Sequence, residues 1–572
     1  MPLSARPLIS PPSRSRSVPA THVISDDHRN RRVPPNQHPD VRQRASIDNR
    51  QVNYQYTLPS TAQRAVSSNN PSGVPYMSAI TLTEFTHLLS ACRPPSGWGK
   101  SITVALSGGP DSICLLSLLQ QVRLDVPLGS ITIDHSLQPT SRDSALRTLA
   151  RSEAIGVPGI ILPADWDRGK PKAGEAVEEA ARDARYRALW RGLRGQGSET
   201  VMFGHHADDQ LETVIMRVLR GTGTYGLGGM RAVRRWGWVG EPGRDVTRLH
   251  PTCTSGLGAV HALRGMRTYI ARPLLTIPKE QILATCHAHS LEYDQDVTNF
   301  MPDLTVRNAV RHALAARATQ PVDGPISHSG GYGSGGTIPT EKIQAAINHV
   351  HTLAGGTGTG TPNLDLMRAY VGRMSERVRQ VDDLVTDYLR VYTRPSPPST
   401  LLLVPPRQHQ METDEAHALV HRILRYVSPY PWGTPESEAH RRRTSIERIV
   451  QRVLQEEGEH AASFCAGAQV LWSPIWMRPS GDIRTRRAEE ESGGRVKAWL
   501  ASRQPPTTPL DQNVQPGETI VWDNRFLVRV PDGTAPDLVV RPHGRFIIPQ
   551  LVRNERVVED CGVEFIREDL QN

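Results

Sequence analysis

Hydrophobic and polar positions along the chain follow two kinds of pattern. Residues 1–76 are rich in Pro, Ser and Arg and show no sustained apolar period. Apolar positions then recur with helical spacing over residues 80–92, and β-branched apolar runs over residues 102–106 and 129–134 predict buried strands. Helices and strands alternate onward to about residue 220. This alternation predicts an α/β fold, with a parallel sheet covered by helices on both faces and ligands bound at the carboxyl ends of the strands.

The later part of the chain has a different pattern. Helical periodicity over residues 363–395, 412–427 and 436–457 predicts a helical region. Beyond about residue 462 strands are favoured, and residues 519–530 alternate like a hairpin that turns at Asp523-Asn524. Gly-rich tracts within residues 322–362 are typical of linkers rather than phosphate-binding loops, because no strand leads into them.

These patterns predict a division of the chain into segments. They are an Arg/Ser/Pro-rich disordered arm at 1–76, a catalytic α/β domain at 77–320 with an insertion at 231–265, a Gly-rich linker at 321–362, a helical domain at 363–460 and a β-rich domain at 461–572. The insertion carries several Arg residues together with Trp236 and Trp238. It suits either a solvated hairpin or an RNA-facing loop whose aromatic rings stack on a base.

Composition narrows the class of protein. The 572 residues carry a formal net charge of +9, which suits a polyanionic partner such as RNA. The six cysteines are scattered without a C-x-x-C pair, which argues against a zinc knuckle, an iron–sulfur site or a disulfide scaffold and favours a reducing compartment. No apolar run reaches the ~18 residues of a membrane span, so we expect neither a transmembrane helix nor a membrane partner.

The N-terminal arm bears on localisation. It contains ten Arg, no Lys and four acidic residues, and it lacks the apolar core of a secretory signal. This composition fits a mitochondrial transit peptide or a disordered basic arm, and Met77 offers an alternative start. We therefore predict the mitochondrial matrix, with the cytoplasm as the alternative.

A glycine-rich turn connects the first predicted strand to the next helix. Glycine lets the backbone approach a ligand closely, and the free N–H groups at the following helix N-terminus attract an anion, so the turn predicts a phosphate cradle. It is not a Walker A loop, because no Lys follows its second Gly. Its residues are Ser107, Gly108, Gly109, Pro110, Asp111 and Ser112.

An acidic helix carries the second group of candidate residues. Asp209 and Glu212 lie three positions apart and project together, and His205 lies one turn earlier. Two close carboxylates are costly unless a cation lies between them, and Mg²⁺ accepts both carboxylate and phosphate oxygens. The pattern therefore predicts a magnesium site, to which Asp111 of the glycine-rich turn would contribute.

Arginine pairs at helical spacing form the third group. Arg182 and Arg185 share one face of the helix predicted over residues 175–189, where they form either surface ion pairs or a phosphate grip. Further candidates follow the acidic helix at Arg217 and Arg220, and in a later segment at Arg307 and Arg311.

Together these motifs resemble the N-type ATP pyrophosphatases with a PP-loop and, over about residues 100–315, the tRNA(Ile)-lysidine synthetase family. The motifs are Ser-Gly-Gly-x-Asp-Ser at 107–112, His-His-x-x-Asp-x-x-Glu-Thr at 205–213, Arg-Gly-Thr-Gly through Gly-Met at 220–230, Arg-Pro-Leu-Leu at 272–275 and Arg-Asn-x-x-Arg at 307–311.

The resemblance implies a Rossmann-like PP-loop domain and a ligase that forms a C–N bond. Such an enzyme uses ATP to adenylate O2 of cytidine 34 in the CAU anticodon of tRNA(Ile), and the ε-amine of free L-lysine then displaces AMP to give lysidine. The resemblance implies ATP and Mg²⁺ as cofactors and tRNA(Ile) and lysine as partners, with a homodimer as one option.

The resemblance also implies roles for the candidate residues. The loop 107–112 would hold phosphates, and Asp111, Asp209 and Glu212 would hold magnesium. Arg182 or Arg185 would stabilise charge on the departing pyrophosphate, and His205 would steer the base or move a proton. Arg217 and Arg220 would contact the tRNA, and Arg307 and Arg311 would contact either phosphate or the tRNA.

Two other function classes remain open from sequence alone. A tRNA thiolase with the same type of loop usually needs paired or specifically placed cysteines, whereas Cys114 lies inside the first helix after the loop. A catalytically silent RNA-binding or scaffolding protein would not need an intact phosphate loop or the pair of Asp209 and Glu212. Sulfur incorporation into tRNA would favour the thiolase, and tRNA binding without lysine-dependent ATP turnover would favour the scaffold.

Overall fold

A computed structural model describes most of the chain beyond its N-terminal arm. The described residues are 78–166, 169, 177–237, 264–294, 306–316, 339–357, 362–395, 397–404, 411–430, 442–455, 462–477, 483–484, 496–559 and 561–567. The predicted arm, most of the 231–265 insertion and residues 321–338 and 358–361 of the predicted Gly-rich linker lie outside them. The rest of the linker prediction is wrong over Thr340–Leu353, which forms a helix with a buried apolar face. The described residues belong to one compact unit, which spans Tyr76–Asn572.

A six-stranded sheet organises the first part of this unit. Its strands are β1 Ile102–Ala105, β2 Leu128–Asp134, β3 Gly159–Pro163, β4 Thr200–Met202, β5 Val233–Arg235 and β6 Tyr269–Ala271. The order is β3-β2-β1-β4-β6-β5, and every neighbouring pair is parallel except β5 with β6. The chain runs outward from β1 to β3 and then returns to β4 on the other side of β1, so a crevice opens between the carboxyl ends of β1 and β4.

Helices cover both faces of this sheet. The helices of this region are α1 Leu82–Ala91, α2 Pro110–Val122, α3 Ser141–Ala154, α4 Val177–Gln196, α5 Ala207–Val218, α6 Lys279–Ala288 and α7 Val306–Ala316. Helix α7 packs on α5. Alternate strand residues point to opposite faces: Ile102 and Val104 pack with α1, α2 and α6, whereas Ile131, Val201 and Ile270 pack with α4. The predicted α/β fold, with helices on both faces of a mostly parallel sheet, is confirmed.

A helical layer packs on α5, which carries the predicted acidic residues. It contains α8 Thr340–Leu353 and the long helix α9 Leu364–Tyr392, which begins at the N-cap Asn363. Leu211, Val214 and Ile215 of α5 share a buried cluster with residues of α7, α8 and α9. Helix α5 is therefore packed against the helical part of the chain, and its N-terminus follows the carboxyl end of the central strand β4.

The C-terminal part combines helices and antiparallel sheets. Helices α10 Thr413–Val427 and α11 Arg443–Val450 accompany strands β7 Thr393–Pro395, β8 Leu401–Leu403, β9 Phe464–Cys465, β10 Val470–Met477, β11 Ile483–Arg484, β12 Val496–Arg503, β13 Gln512–Val514, β14 Thr519–Trp522, β15 Phe526–Arg529, β16 Leu538–His543, β17 Ile548–Arg553, β18 Arg556–Val557 and β19 Gly562–Phe565. The hairpin predicted over residues 519–530 forms from β14 and β15, and Asp523 and Asn524 take the positive φ values that its turn requires.

The predicted boundary between a helical domain and a β-rich domain divides one packed unit. Strand β8, from the helical region, pairs with β12 inside the C-terminal sheet. One buried cluster contains residues from α9, α10 and α11 together with Trp472, Trp499 and Trp522 of the strands. The helices and strands after residue 363 thus share a core. Within the described ranges, no helix is both long and apolar enough to cross a membrane.

Candidate active site

The glycine-rich turn follows β1 directly and closes on itself through Ser112. The Ser112 hydroxyl accepts the N–H of Ser107 at 3.2 Å and donates to the carbonyl of Gly109 at 3.1 Å. Gly109 is the N-cap of α2 and Pro110 occupies the first turn, so no side chain of the N-cap residue blocks this helix N-terminus. The loop therefore presents backbone N–H groups and the positive end of a helix to the crevice, as an anion site requires.

Gly108 is required at its position by both conformation and space. Its φ is +85°, and a Cβ built there would lie 2.3 Å from Oγ1 of Thr148 on α3. The carbonyl of Gly108 accepts the N–H of Asp294 at 2.9 Å. The Asp294 carboxylate in turn accepts from Ser144 at 2.9 Å and pairs with Arg151 at 2.8 Å. Asp294 therefore connects the loop to helix α3 and fixes its position.

The segment after β4 is placed against the phosphate loop. A Cβ at Gly204 would lie 2.7 Å from the carbonyl oxygen of Asp111, so glycine allows the two segments to touch. His206 is the N-cap of α5, and Asp209 completes a capping box by accepting the N–H of His206 at 3.0 Å. The His206 Nε2 atom lies 3.7 Å from Asp111 and 3.5 Å from Asp209.

The imidazole of His206 is therefore surrounded by carboxylates. Burial alone would lower its pKa, but the hydrogen bond with Asp208 and the charges of Asp209 and Asp111 outweigh burial and raise it. Asp111 and Asp209, which the sequence predicted as ligands of one magnesium site, are thus both brought close to the same ring nitrogen, Nε2 of His206.

Glu212 is matched with arginine, not with the other predicted ligands. Arg311 donates to both of its carboxylate oxygens, at 2.8 and 3.1 Å, and Arg307 lies 3.8 Å away. The Glu212 side chain is only 3% exposed, so this pairing is what offsets its burial. The sequence predicted magnesium as the cation beside the acidic pair, whereas the cation beside Glu212 is the guanidinium of Arg311.

The geometry removes Glu212 from the predicted set of magnesium ligands and leaves Asp111 and Asp209. Among the residues that the structure describes, no group of three or more His, Cys, Asp or Glu side chains is placed to hold a metal ion. Asp111 and Asp209 still fit one, because Mg²⁺ is commonly held by one or two carboxylates together with phosphate oxygens and waters. Glu212 does not fit, since both of its oxygens are already bonded to Arg311.

His205 is held by Arg272 at the end of β6. The Nε–H of Arg272 donates to Nδ1 of His205 at 3.1 Å, and Arg272 also donates to the carbonyl of Arg231 at 2.9 Å. Burial, reinforced by the charge of Arg272, lowers the pKa of His205 from 6.5 to about 3. The ring is therefore neutral near pH 7 with its proton on Nε2, which makes it a hydrogen-bond donor and favours steering over proton transfer.

This pKa predicts a pH dependence that a His205→Gln variant removes. Because the folded chain resists protonating His205 below pH 6.5 and the unfolded chain does not, stability is present above pH 6.5 and is lost as pH falls toward 3. We expect the unfolding free energy of the wild type to fall, relative to that of the variant, by about 1 kcal/mol per pH unit between pH 6 and 4. Urea titrations at pH 7, 6, 5 and 4 measure this difference, and parallel curves would contradict the assignment.

Two cationic residues of the site were not among the predicted ligands. Lys279, the first residue of α6, places its ammonium 2.5 Å from Oδ1 of Asp111. Its backbone N–H donates to Asp208 at 3.0 Å. Arg368 of α9 reaches the same Asp208 carboxylate through its Nε at 2.8 Å. The short segment around Lys279 gave no local signal beyond a basic residue at a helix start, and Arg368 gave none.

Arg182 and Arg185 lie on α4, as the helix predicted over 175–189 required. Arg182 lies over the Tyr186 ring at 4.9 Å and donates to its hydroxyl at 3.4 Å. Burial, with the charge of Arg185, lowers the pKa of His135 to about 4. Both guanidiniums thus lie near residues that follow the carboxyl ends of strands: Arg185 is near His135 after β2, and Arg182 contacts Tyr186, which stacks on Phe203 after β4.

The aromatic part of the predicted insertion is partly core. Trp236 packs with Tyr186 and Trp190 at centroid distances of 5.2 and 5.6 Å. Such packing favours a structural role for this ring over stacking on a base. Trp238 and the rest of the insertion to residue 263 lie outside the described residues.

The arginines that follow the acidic helix differ in their surroundings. Arg217 donates to the carbonyls of Gly226 and Gly229 at 2.9 and 2.7 Å, so it shapes the glycine-containing turn at 221–230. Arg220 is exposed. Arg307 and Arg311 face Glu212 inside the site, so the structure places them with the acidic helix and not on an outer surface.

Residues 81–318 match a family model described as a PP-loop domain. The parallel sheet, the loop after β1 and the converging acidic helix occur in this same region, so the fold of residues 81–318 agrees with the match to a PP-loop domain. The predicted resemblance to this class is confirmed.

Curated relatives give a more particular similarity. The chain is 36% identical over 226 residues to tRNA(Ile)-lysidine synthase of Bradyrhizobium sp. (strain BTAi1), and the aligned residues make up 38% of this chain and 54% of that relative. It is 35% identical over 234 residues to the protein of that name in Alkalilimnicola ehrlichii, covering 41% and 44%. It is 30% identical over 252 residues to the "Probable tRNA(Ile)-lysidine synthase" of Schizosaccharomyces pombe, covering 43% and 51%. The chain spans about half the length of these relatives.

Proposed function

We propose that the protein is a tRNA(Ile)-lysidine synthase, which uses ATP to join lysine to C2 of cytidine 34 in the CAU anticodon of isoleucine tRNA. The observation that carries this proposal is the convergence of the 107–112 loop with Asp209 and the arginine-paired Glu212 at the β1/β4 crevice. This geometry occurs in the PP-loop region that resembles the lysidine synthases. It offers an anion site next to both acidic and basic side chains, which is what an adenylation reaction needs.

The first half-reaction would take place at the phosphate loop. O2 of the cytosine attacks the α-phosphorus of ATP, the bond between the α- and β-phosphates breaks, and pyrophosphate leaves. The N–H groups at the start of α2 and the ammonium of Lys279 are placed to stabilise charge on the leaving group. Magnesium, held by Asp111 and Asp209, would neutralise further charge on these phosphates.

In the second half-reaction the ε-amine of lysine attacks C2 of the adenylated base and AMP leaves. The amine must lose a proton to become a nucleophile, and a carboxylate beside the bound lysine would accept that proton. Neutral His205, whose Nδ1 accepts from Arg272, keeps an N–H at Nε2 that would donate a hydrogen bond to the base. The arginine-rich surroundings attract both ATP and the anticodon backbone.

The environment of Cys114 favours this ligase over a thiolase that would use this cysteine. Cys114 is buried in α2, and a hydrogen bond with Cys286 together with burial raises the pKa of its thiol. A sulfur-transfer cysteine needs an accessible thiolate, so a buried thiol with a raised pKa is unsuited to the role.

The proposal predicts lysine- and ATP-dependent modification of one base. Purified protein incubated with ATP, lysine and the CAU isoleucine tRNA transcript should yield lysidine at position 34, detected by mass spectrometry. Asp209→Ala should reduce the rate at least ~100-fold, because it removes a carboxylate from the reaction centre.

A matched control tests whether loss of any helix-terminal carboxylate has this effect. Asp414 lies in the first turn of α10, as Asp209 does in α5, and Asp414→Ala should keep the rate within about twofold. Release of AMP without a modified base, or sulfur incorporation in its place, would refute the substrate assignment.

A further inference from the structure

One arginine of the helical layer joins helices of three different parts of the chain. The Arg368 guanidinium contacts Asp365 on its own helix α9, Asp208 on α5 and Glu280 on α6. Its side chain is only 13% exposed. An exposed ion pair contributes little to stability. A pair with Asp365 alone would therefore not hold Arg368 in this buried position.

The partner that matters for the site is Asp208. One oxygen of this carboxylate accepts from Arg368, and the other accepts the backbone N–H of Lys279 at 3.0 Å. The two oxygens of Asp208 therefore connect Arg368 of α9 with the N-terminus of α6.

The last contact of the series lies in the phosphate loop. The ammonium of Lys279 is 2.5 Å from Asp111, so the position of α6 sets the position of a cation beside the loop. A continuous series of charge-assisted hydrogen bonds thus runs from α9 to the phosphate loop through Asp208 and Lys279. Such contacts are strong and directional, so they can transmit a shift of one helix to the next.

We propose that Arg368 is a positioning residue for the nucleotide site: through Asp208 it fixes Lys279 beside Asp111, so that the helical layer sets the affinity of the phosphate loop for ATP. The inference rests on the proposed function for its ATP substrate. The alternative is that Arg368 only attaches the helical layer to the PP-loop domain, with no effect specific to ATP.

Kinetic constants separate these two roles. Arg368→Ala should raise the KM for ATP, and weaken binding of a non-hydrolysable ATP analogue, by about tenfold. The KM for tRNA should stay within about twofold of the wild type, because the series of contacts ends at the phosphate loop. Arg368→Lys, which keeps the charge but not the forked geometry, should recover at least half of the lost affinity on a logarithmic scale.

A double-mutant cycle tests whether the effect passes through Asp208. Asp208→Asn should weaken analogue binding about as much as Arg368→Ala, and the double variant should be no weaker than either single variant. Arg390→Ala is the matched control, since Arg390 is an exposed arginine on the same helix with an ordinary pair to Asp387, and it should leave analogue affinity unchanged.

Three results would overturn the inference. In the first, the double variant loses analogue affinity by the product of the factors lost in Arg368→Ala and Asp208→Asn. In the second, Arg368→Ala changes only the KM for tRNA. In the third, Arg390→Ala loses as much analogue affinity as Arg368→Ala. Analogue binding is measured by calorimetry without tRNA or lysine. A wild type that binds the analogue but makes no lysidine would therefore refute the proposed function. The analogue affinities of the Arg368 and Asp208 variants would still test the role of Arg368.

Discussion

Glu212→Ala is expected to lower the free energy of unfolding by about 3–5 kcal/mol and to abolish modification of the tRNA. The carboxylate is almost fully buried and receives two hydrogen bonds from Arg311, with Arg307 close by. Removing it leaves two partly buried guanidiniums balanced only in part by Asp209, which lies 3.9 Å from Arg311, and this incompletely compensated charge is the main cost. Urea unfolding and the lysidine assay measure the two effects separately.

A double variant distinguishes loss of charge balance from loss of volume. Glu212→Leu combined with Arg311→Met replaces the pair by apolar side chains, so most of the lost stability should return while activity stays absent. If Glu212→Ala loses less than about 1 kcal/mol, the pair is solvated in solution and the buried arrangement is wrong.

Local features of this protein could be predicted from sequence because their causes are local. Strand β1, the glycine-rich turn and α2 are consecutive, so periodicity and glycine placement were enough to define them. The same holds for the acidic helix α5 and for the hairpin at Asp523-Asn524, where two residues with positive φ mark the turn.

Contacts between distant segments could not be predicted in this way. Lys279 meets Asp111 across 168 positions, and Arg368 meets Asp208 across 160. The local pattern around Arg368 even suggests an ordinary surface pair with Asp365, three positions away. A single sequence contains no information on which helices pack together, so the charge that matters was indistinguishable from many others.

The acidic pair shows how far chemical reasoning alone can go. The spacing of Asp209 and Glu212 indicates that a positive charge is needed nearby, and this was interpreted as magnesium. It does not say whether this charge is a metal ion or a guanidinium. The available signal was the spacing of Arg307 and Arg311, four positions apart and hence on one face of α7, which allows both to reach one carboxylate.

The boundary predicted near residue 460 shows a different limit. Composition changes there from helical to strand-forming, which suggested two domains. The short strand β8 enters the C-terminal sheet from the helical side and pairs with β12. Three apolar residues, Leu401–Leu403, are too short a run to be assigned by pattern alone, although they are fully buried.

Gly108→Ala is expected to weaken binding of a non-hydrolysable ATP analogue at least ~100-fold, because two costs act together. The residue has a φ of +85°, and its new Cβ would lie 2.3 Å from Oγ1 of Thr148. Thr148 is buried and its hydroxyl donates to Ser144, so it cannot simply rotate away. The loop must shift instead, which breaks the hydrogen bond from Asp294 to the carbonyl of Gly108 and misaligns the N–H groups.

Gly197→Ala separates backbone strain from this close approach. Gly197 also has a positive φ, +65°, but nothing lies within 4 Å of a Cβ built there. Its substitution should cost about 1 kcal/mol in stability and leave analogue affinity unchanged. Adding Thr148→Ala to Gly108→Ala removes the obstructing hydroxyl, so affinity should recover in part. Full binding by Gly108→Ala alone, measured by calorimetry, would mean that the loop does not need this close packing to hold phosphate.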